Sequence, residues 1–510
     1  MGIDMDCISH LAFKDMKRVS ISTITNYLTN ASWIIFLLCL PVLSFPFFPP
    51  AIGGSAVVRP LIIYPLLVLL VVATIPRLIS DRIPRTILNL LPFIIAAVVS
   101  SIFSYRLNIP SALGISSSER IFRAFITLGL GSAIYITVSL IPRSLEDLRG
   151  SLRWMYAGFS LAMLWGSLQA IYVFRFSNSY FHALMEIQKY ISIRKLFATR
   201  ISGPMYEPNW FAIQLSLLLV PWLLAAVLRG YSVFQWRWRW VTVELILLVW
   251  SFLIIPLTFS RAGLIVLVSV AFIGLIIFRS RGNWFPFKKN TSSNLVISRI
   301  LEAGMVVFGV IILTYLFGRN NEFFSRIWLY WSEFKNPSLG GYFEYLGFGA
   351  RLIYGETALR IFDEFPVFGV GLGNYAFFFD DLLPDQPLAI MPEVLRLVTP
   401  GIGQNQLITS KNLYFRLLAE TGLIGLATFL AFVVAILGCA IFLWLSPNKE
   451  NKYYGVSGLL GLLAFSVGAF SFDSFAIPNM WVMFGLITAA MRLAKKNENL
   501  TSAIVDNEIS

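Results

Sequence analysis

Apolar runs of about 17–25 residues recur along the chain, and short polar connections separate them. A helix needs about 20 such residues to cross a hydrocarbon core of about 30 Å. The pattern therefore predicts about twelve membrane-spanning helices. They lie at about 32–48, 60–76, 87–104, 121–141, 152–175, 209–228, 241–259, 260–278, 300–317, 423–445, 455–471 and 475–493.

The composition supports the same fold class. Of the 510 residues, 57% are hydrophobic and 13% are charged, whereas soluble domains carry about 25% charged residues. We therefore predict an all-α, polytopic membrane protein. Positive charge beside membrane spans is the usual orientation signal, so the net charge of +13 does not indicate a nucleic-acid partner.

Lysine and arginine collect at alternate ends of the predicted spans, which sets the orientation. This pattern predicts that both termini are cytoplasmic and that the loop after the ninth span faces outward. The predicted regions are a cytoplasmic N-terminal tail (1–31), nine spans with an outer loop near 176–208 (32–317), a large outer loop (318–411), three spans (412–493) and a cytoplasmic C-terminal tail (494–510).

The large outer loop interrupts an otherwise apolar chain. Its 94 residues carry ten carboxylates and seven Lys or Arg side chains. So much polar sequence on one side of a membrane indicates that the protein works there. The three cysteines, Cys7, Cys39 and Cys439, lie elsewhere, so we expect no disulfide within the loop.

Several kinds of chemistry are missing from the sequence. The chain has two histidines and no GxxxxGK[ST] loop for nucleotide phosphates. An outward-facing enzyme has no nucleotide sugar to use, so its activated substrate would arrive in the membrane as a lipid-linked phosphate. Asp380, Asp381 and Asp385 could hold a divalent cation. We favour a solvated turn and predict neither a metal nor a cofactor.

Arg261 lies at the turn between two predicted spans. Basic residues flank the region 241–278 on both sides, so the chain should cross an even number of times and turn near Phe259. An arginine at mid-membrane costs at least about 2.5–3.5 kcal/mol. Arg261 therefore either snorkels to the interface or lines an anion-binding site.

The first outer loop ends at 200–209, where glycine and proline residues prevent a regular helix. These residues hold Glu207 in a turn where a new span begins. Glu207 could form a structural ion pair with Lys195 or Arg200. It could equally orient a sugar hydroxyl or take its proton.

In the large loop, residues 350–362 have helical spacing, with Arg351 at the start. Leu352, Leu359 and Phe362 should face one side of this helix. Glycines then occupy alternate positions within 366–375. Such glycines let the backbone approach a partner closely and leave its N–H groups available, although a tight turn packed under aromatic side chains has the same pattern.

The large loop closes with a polar stripe. Asn412, Arg416 and Glu420 recur every four residues and so share one helix face, and Lys411 adds a second cation. A solvated helix face would have this pattern. Because the stripe leads straight into a membrane span, we favour a wet cavity.

Four segments together resemble the O-antigen ligase/polymerase family. The resemblance covers order, spacing and topology across about 200–445. It implies a GT-C-like, metal-independent glycosyltransferase of the bacterial inner membrane, with a large periplasmic loop. The donor would be glycan on undecaprenyl diphosphate, and the acceptor another saccharide or lipid A core. A flippase and a chain-length regulator are implied partners. The segments are PVFGVGLGNY (366–375), KNLYFRLLAETGLIG (411–425), TFSR (258–261) and the stretch 203–212.

One position departs from the family pattern. Ligase members usually carry a histidine just before the asparagine of the closing motif, whereas this chain has Lys411. A protonated lysine is a poor general base unless desolvation lowers its pKa. We therefore favour a polymerase of O-antigen or exopolysaccharide over a ligase.

The resemblance also suggests a mechanism. Arg261 and Arg351, helped by Arg416 or Lys411, would bind the diphosphate and stabilise it as it departs. An acceptor hydroxyl would attack the anomeric carbon, and Glu207 would orient it or take its proton. The remaining candidates for substrate binding are Arg200, Asn209, Gly371, Asn374 and Asn412.

Two other classes of function stay open. A flippase for lipid-linked oligosaccharide would also need cations that face a diphosphate, but transporters often contain paired repeats with broken helices, and the sequence has no such symmetry. A structural subunit of a polysaccharide export complex is the other alternative.

Overall fold

The chain folds almost entirely into helices. The computed structural model describes residues 21–48, 57–80, 83–278, 292–384, 392–398 and 407–509. Within these ranges, one antiparallel hairpin pairs β1 (Arg237–Trp238) with β2 (Val241–Thr242). The helices are α1 (Ile21–Cys39), α2 (Ile63–Ser80), α3 (Arg85–Leu107), α4 (Ser117–Leu140), α5 (Leu145–Phe174), α6 (Asn178–Ile191), α7 (Pro208–Arg229), α8 (Val243–Leu257), α9 (Arg261–Phe278), α10 (Ser292–Gly318), α11 (Glu322–Glu333), α12 (Leu339–Tyr345), α13 (Gly349–Glu364), α14 (Pro392–Val398), α15 (Leu413–Leu445), α16 (Lys449–Gly468) and α17 (Pro478–Ile509).

The predicted fold class is confirmed. Among the described residues, eight helices are long and apolar enough to cross a membrane: α2, α3, α4, α5, α7, α9, α10 and α15. The apolar helix α8 is shorter, with 15 residues. Each predicted span overlaps a helix, so hydropathy located the elements of an all-α, polytopic membrane protein.

Several helices begin or end away from the limits of the predicted spans. The first helix begins by Ile21 rather than near 32 and ends at Cys39, because Pro41 and Pro46 follow. Helix α15 begins at Leu413 rather than near 423, because the polar stripe forms its first turns. Both helices begin before the apolar run that hydropathy detects, and the first also ends before that run does.

Helix α7 forms the centre of the bundle. Its most apolar window is 94% buried inside the protein, whereas the windows of the other candidate spans are at most 50% buried. It contains a π-helical turn at Leu215–Leu219, just before Pro221. A Cβ atom on Gly263 of α9 would lie 2.3 Å from the Cβ of Ala212 in α7. Glycine therefore permits the close approach of these two helices.

The predicted outer segments meet on one side of the bundle, which we call the loop face because it carries residues 318–411. Asn321 Nδ2 donates to the backbone oxygen of Thr199 at 2.6 Å, which joins the large loop to the first outer loop. The N–H of Leu413 donates to the oxygen of Ala469 at 2.9 Å. These contacts agree with the predicted alternation of the spans.

Arginines hold the opposite end of the bundle together. Arg77 Nη1 donates to the backbone oxygens of Leu140 and Ile141 at 2.6 and 2.9 Å. Arg153 Nε donates to the oxygen of Val233 at 2.9 Å. Cations near helix C-termini satisfy carbonyl groups that have no partner within the helix.

The large loop has a small core of its own, built around α13. The predicted helix is confirmed, and the side that carries Leu352 and Leu359 is the exposed one: Leu352 is 65% exposed and Leu359 is 42% exposed. Apolar residues occur on both sides of this helix, so spacing alone did not identify the buried side. The core consists of Ile353, Tyr354, Ala358, Ile361, Val370, Tyr375, Phe379 and neighbouring buried residues.

Candidate functional site

Charged side chains on the loop face form three groups. The groups are an arginine cluster (Arg194, Arg200, Arg261, Arg326), a Glu393 cluster (Arg351, Tyr354, Glu393, Lys411) and a buried charge cluster (Arg120, Arg416, Glu420, Asp473).

The arginine cluster gathers around the turn that precedes α9. Arg261 is the first residue of α9, at the predicted turn, and its Nη1 donates to the backbone oxygen of Leu346. Its guanidinium is electrostatically repelled by Arg200 from the first outer loop and by Arg326 from α11. Arg200 is in turn repelled by Arg194. Three separate segments thus bring positive charge to one place.

Asn209 fixes the backbone beside Arg261. Ser260 Oγ donates to Asn209 Oδ1 at 2.7 Å and accepts from the N–H of Gly263 at 3.1 Å. Phe259 has a φ of +50°, which turns the chain sharply between α8 and α9. Asn209 therefore ties the start of α7 to the start of α9.

Gln169 supports the neighbouring turn and was missed by the sequence analysis. Its Oε1 accepts from the N–H groups of Ser202 and Gly203 at 2.9 Å each, and its Nε2 donates to Gly203 O at 3.0 Å. Gln169 lies fully buried in α5. Its side-chain amide thus fixes the turn that leads to Glu207. In the sequence, only its position as a single glutamine within an apolar run marks Gln169 as unusual.

Glu207 lies beside Arg200, one of its two predicted partners. Burial lowers the pKa of the Arg200 guanidinium, the Glu207 carboxylate opposes this shift, and Arg194 adds to it. Glu207 is half-buried and occupies the N-cap position of α7 without a side-chain capping bond. Its carboxylate therefore balances part of the charge of Arg200.

The Glu393 cluster joins α13 and α14 to the end of the large loop. Lys411 Nζ and the Tyr354 hydroxyl both donate to Glu393 Oε1, at 3.1 and 3.0 Å. Burial alone would raise the pKa of the Glu393 carboxyl, but these two donors and the charge of Arg351 hold it below its usual range. Glu393 was not identified in the sequence, because no motif surrounds it.

The buried charge cluster contains the predicted polar stripe. Arg416 Nε donates to Glu420 Oε2 at 2.9 Å, and Nη1 donates to the backbone oxygen of Asp473. Arg120 of α4, whose Nε donates to Gly373 O at 3.2 Å, is electrostatically coupled to both charges of the stripe. Arg416 and Glu420 are buried, so the stripe faces protein groups rather than solvent.

Asn412 caps the helix that carries this stripe. Its Oδ1 accepts from the N–H groups of Tyr414 and Phe415, at 3.0 and 3.3 Å. Lys411 precedes it with a φ of +52°, and its own N–H donates to Asp473 Oδ2 at 2.8 Å. The structure thus gives the amide oxygen of Asn412 an N-cap role.

The glycine-rich segment pairs with a break in α15. Gly422 has φ 63° and ψ −165°, which is not helical. A Cβ atom on Gly369 would lie 2.5 Å from Ala419 O, so glycine permits the approach. Four backbone hydrogen bonds join the segments: Val370 N to Ala419 O (3.1 Å), Gly371 N to Glu420 O (2.9 Å), Leu423 N to Pro366 O (2.9 Å) and Ile424 N to Val367 O (3.4 Å).

The prediction that this segment leaves its N–H groups available is therefore wrong for Val370 and Gly371. Leu372 N also has a partner, Ser101 Oγ, at 3.2 Å. Asn374 is fully buried; its Nδ2 donates to Val370 O at 2.9 Å and its Oδ1 accepts from Ser117 Oγ at 3.1 Å. The partner that the backbone approaches closely is the protein itself.

The acidic turn carries no cluster of metal ligands within the described residues, where no three His, Cys, Asp or Glu side chains converge. Burial raises the pKa of the Asp380 carboxyl, and Asp381 adds to the shift. Asp385, the third predicted acid, lies outside the described residues. Phe379 is buried and packs against Tyr354, with ring centroids 5.7 Å apart.

The similarity of this chain to a known protein family falls in the region that holds most of the candidate site. Residues 246–430 match a family model described as O-antigen ligase. No curated protein matches the chain. The matched segment contains Arg261, Arg351, Glu393, Lys411 and the helix break at Gly422. Over this segment the chain is similar to the O-antigen ligase family.

Proposed function

We propose that this protein polymerises undecaprenyl-diphosphate-linked oligosaccharide, of O-antigen or exopolysaccharide type, on the periplasmic face of the bacterial inner membrane. The observation that carries the proposal is the arginine cluster, where Arg200 from the first outer loop and Arg326 from α11 both repel the guanidinium of Arg261. A bound diphosphate would offset this repulsion.

The position of the cluster suits a lipid-borne anion. Arg261 is half-buried and is the first residue of a span, so we expect its guanidinium near the depth of the lipid headgroups. Guanidinium groups bind phosphate oxygens bidentately. Cations placed at a departing diphosphate stabilise the charge that develops there.

Lys411 supports polymerisation rather than a histidine-dependent ligation. Its ammonium donates to Glu393 at 3.1 Å, so it serves as a donor and an electrostatic partner. An ammonium group has no lone pair, so it cannot accept the proton of a sugar hydroxyl. The position that resembles the ligase histidine therefore has different chemistry in this chain.

Arg261→Ala and Arg351→Ala test the proposal. Each variant should transfer glycan at least about 100-fold more slowly, because each removes a cation that stabilises the leaving diphosphate. The measurement is glycan transfer by purified protein in proteoliposomes that contain the lipid-linked donor. Insertion is checked by protein yield and thermal stability in detergent.

Arg360→Ala is the matched control. Arg360 lies on α13 with Arg351, but it pairs with Glu356 at 3.3 Å and belongs to none of the three groups. This variant should retain wild-type transfer. Normal long-chain product from both Arg261→Ala and Arg351→Ala would contradict the proposal, and donor movement across the bilayer without transfer would favour a flippase.

A further inference from the structure

The two carboxylate oxygens of Glu393 differ in their hydrogen bonds. Both donors of its cluster, Lys411 Nζ and the Tyr354 hydroxyl, bond to Oε1. Among the described residues no hydrogen bond reaches Oε2, and the side chain is 52% exposed. Oε2 is therefore accessible to a substrate that approaches from the loop face.

Its neighbours connect Glu393 to the proposed reaction. Arg351, which we assign to the diphosphate, is electrostatically coupled to Glu393 and Tyr354. Lys411 lies 5.3 Å from the centre of the Tyr354 ring, so four side chains from three segments form one unit. The open oxygen thus lies beside groups that would contact the donor.

We propose that Glu393 is the general base that accepts the proton of the acceptor hydroxyl. This proposal rests on the proposed function. The hydroxyl oxygen forms a bond to the anomeric carbon of the donor, and the bond from that carbon to the diphosphate oxygen breaks. The electron pair leaves with undecaprenyl diphosphate, and the hydroxyl proton goes to Glu393 Oε2.

Other carboxylates near the candidate site are less suited to this step. Glu420 is 3% exposed, and Arg416 binds its Oε2 at 2.9 Å, so a substrate hydroxyl has no access to it. Glu207 lies beside the arginine cluster, where a carboxylate would balance the charge of Arg200. A general base must be ionised at working pH and reachable by the hydroxyl, and Glu393 meets both conditions.

The test is Glu393→Gln in the proteoliposome transfer assay. The amide oxygen still accepts from Lys411 and Tyr354, so the cluster keeps its shape, but the side chain cannot accept a proton. We expect kcat to fall by about 100-fold or more while the KM for the donor stays within about threefold. Wild-type kcat should also decline at acid pH, below the usual range of a glutamate, and the variant should lack this decline.

Four further variants separate the possible failures. Glu364→Gln, at the exposed end of α13, should behave as wild type. Glu393→Ala should recover part of its rate with added formate, because a small carboxylate can replace the missing base. If Glu393→Gln is fully active while Arg351→Ala is inactive, the base assignment is wrong and the proposed function stands. If Arg351→Ala and Arg261→Ala are fully active, the proposed function itself is wrong.

Discussion

Arg416 carries a buried charge that is satisfied by one group on its own helix and one group distant in the sequence. Glu420 lies one helical turn away, and the backbone oxygen of Asp473 comes from the loop before α17. Breaking a buried ion pair on one side costs much more than removing both partners, because it leaves an uncompensated buried charge. This arrangement favours a structural role for Arg416 over the substrate-binding role suggested by the sequence.

Arg416→Ala should therefore destabilise the protein by about 3–5 kcal/mol, since it leaves Glu420 buried without its partner. The measurement is thermal or denaturant unfolding of the purified protein in detergent. Arg416→Ala combined with Glu420→Ala should cost less than the sum of the two single variants. If Arg416→Ala were as stable as wild type but inactive in transfer, Arg416 would be a substrate-binding residue after all.

At the scale of elements, the broken helix α15 and the glycine-rich segment form one unit. A helix break near a membrane is tolerated only where other groups satisfy the freed backbone. Here the segment 366–371 supplies both acceptors and donors, through four backbone hydrogen bonds. Two of the four segments that carry the family resemblance are therefore directly joined, and they position Lys411 and α13 relative to each other.

Gly422→Ala should disrupt this junction. The backbone there has a φ of +63°, and a Cβ atom would lie 2.4 Å from Val367 O, which cannot move without breaking the pairing. We expect a loss of at least about 1–2 kcal/mol in unfolding free energy, with reduced transfer. Gly438→Ala in the same helix is the control, because a Cβ atom there meets nothing within 4 Å. Equal stability of the two variants would contradict the close approach at Gly422.

Local patterns were sufficient to predict the elements but not the contacts between them. Apolar runs located the spans, and the charge pattern located the turn before Arg261. Contacts such as that between Arg416 and Asp473 depend on how distant segments pack, which no local periodicity encodes. Glu393 lies in a stretch without a motif, and the face of α13 was ambiguous because both sides carry apolar residues.

At the scale of the whole molecule, the start of the buried helix α7 lies between the elements that form the arginine cluster. The turn before α7 holds Glu207 and Asn209, Asn209 is bonded to the turn before α9, and the large loop is bonded to the first outer loop through Asn321. A donor lipid among the spans and an acceptor on the loop face could therefore meet over the arginine cluster. Polymerisation and ligation share this geometry and differ only in the acceptor.

Deletion of the gene distinguishes the two reactions by their products. If the protein polymerises, cells without it should carry single repeat units in place of long chains, because the donor is made but not extended. If it ligates, the lipid A core should be undecorated while lipid-linked long chains accumulate. Gel and mass analysis of surface and lipid-linked glycans measures both products. Restoration by wild-type protein but not by Arg261→Ala would assign the difference to transfer at the arginine cluster, and an unchanged glycan profile in the deletion strain would contradict both reactions.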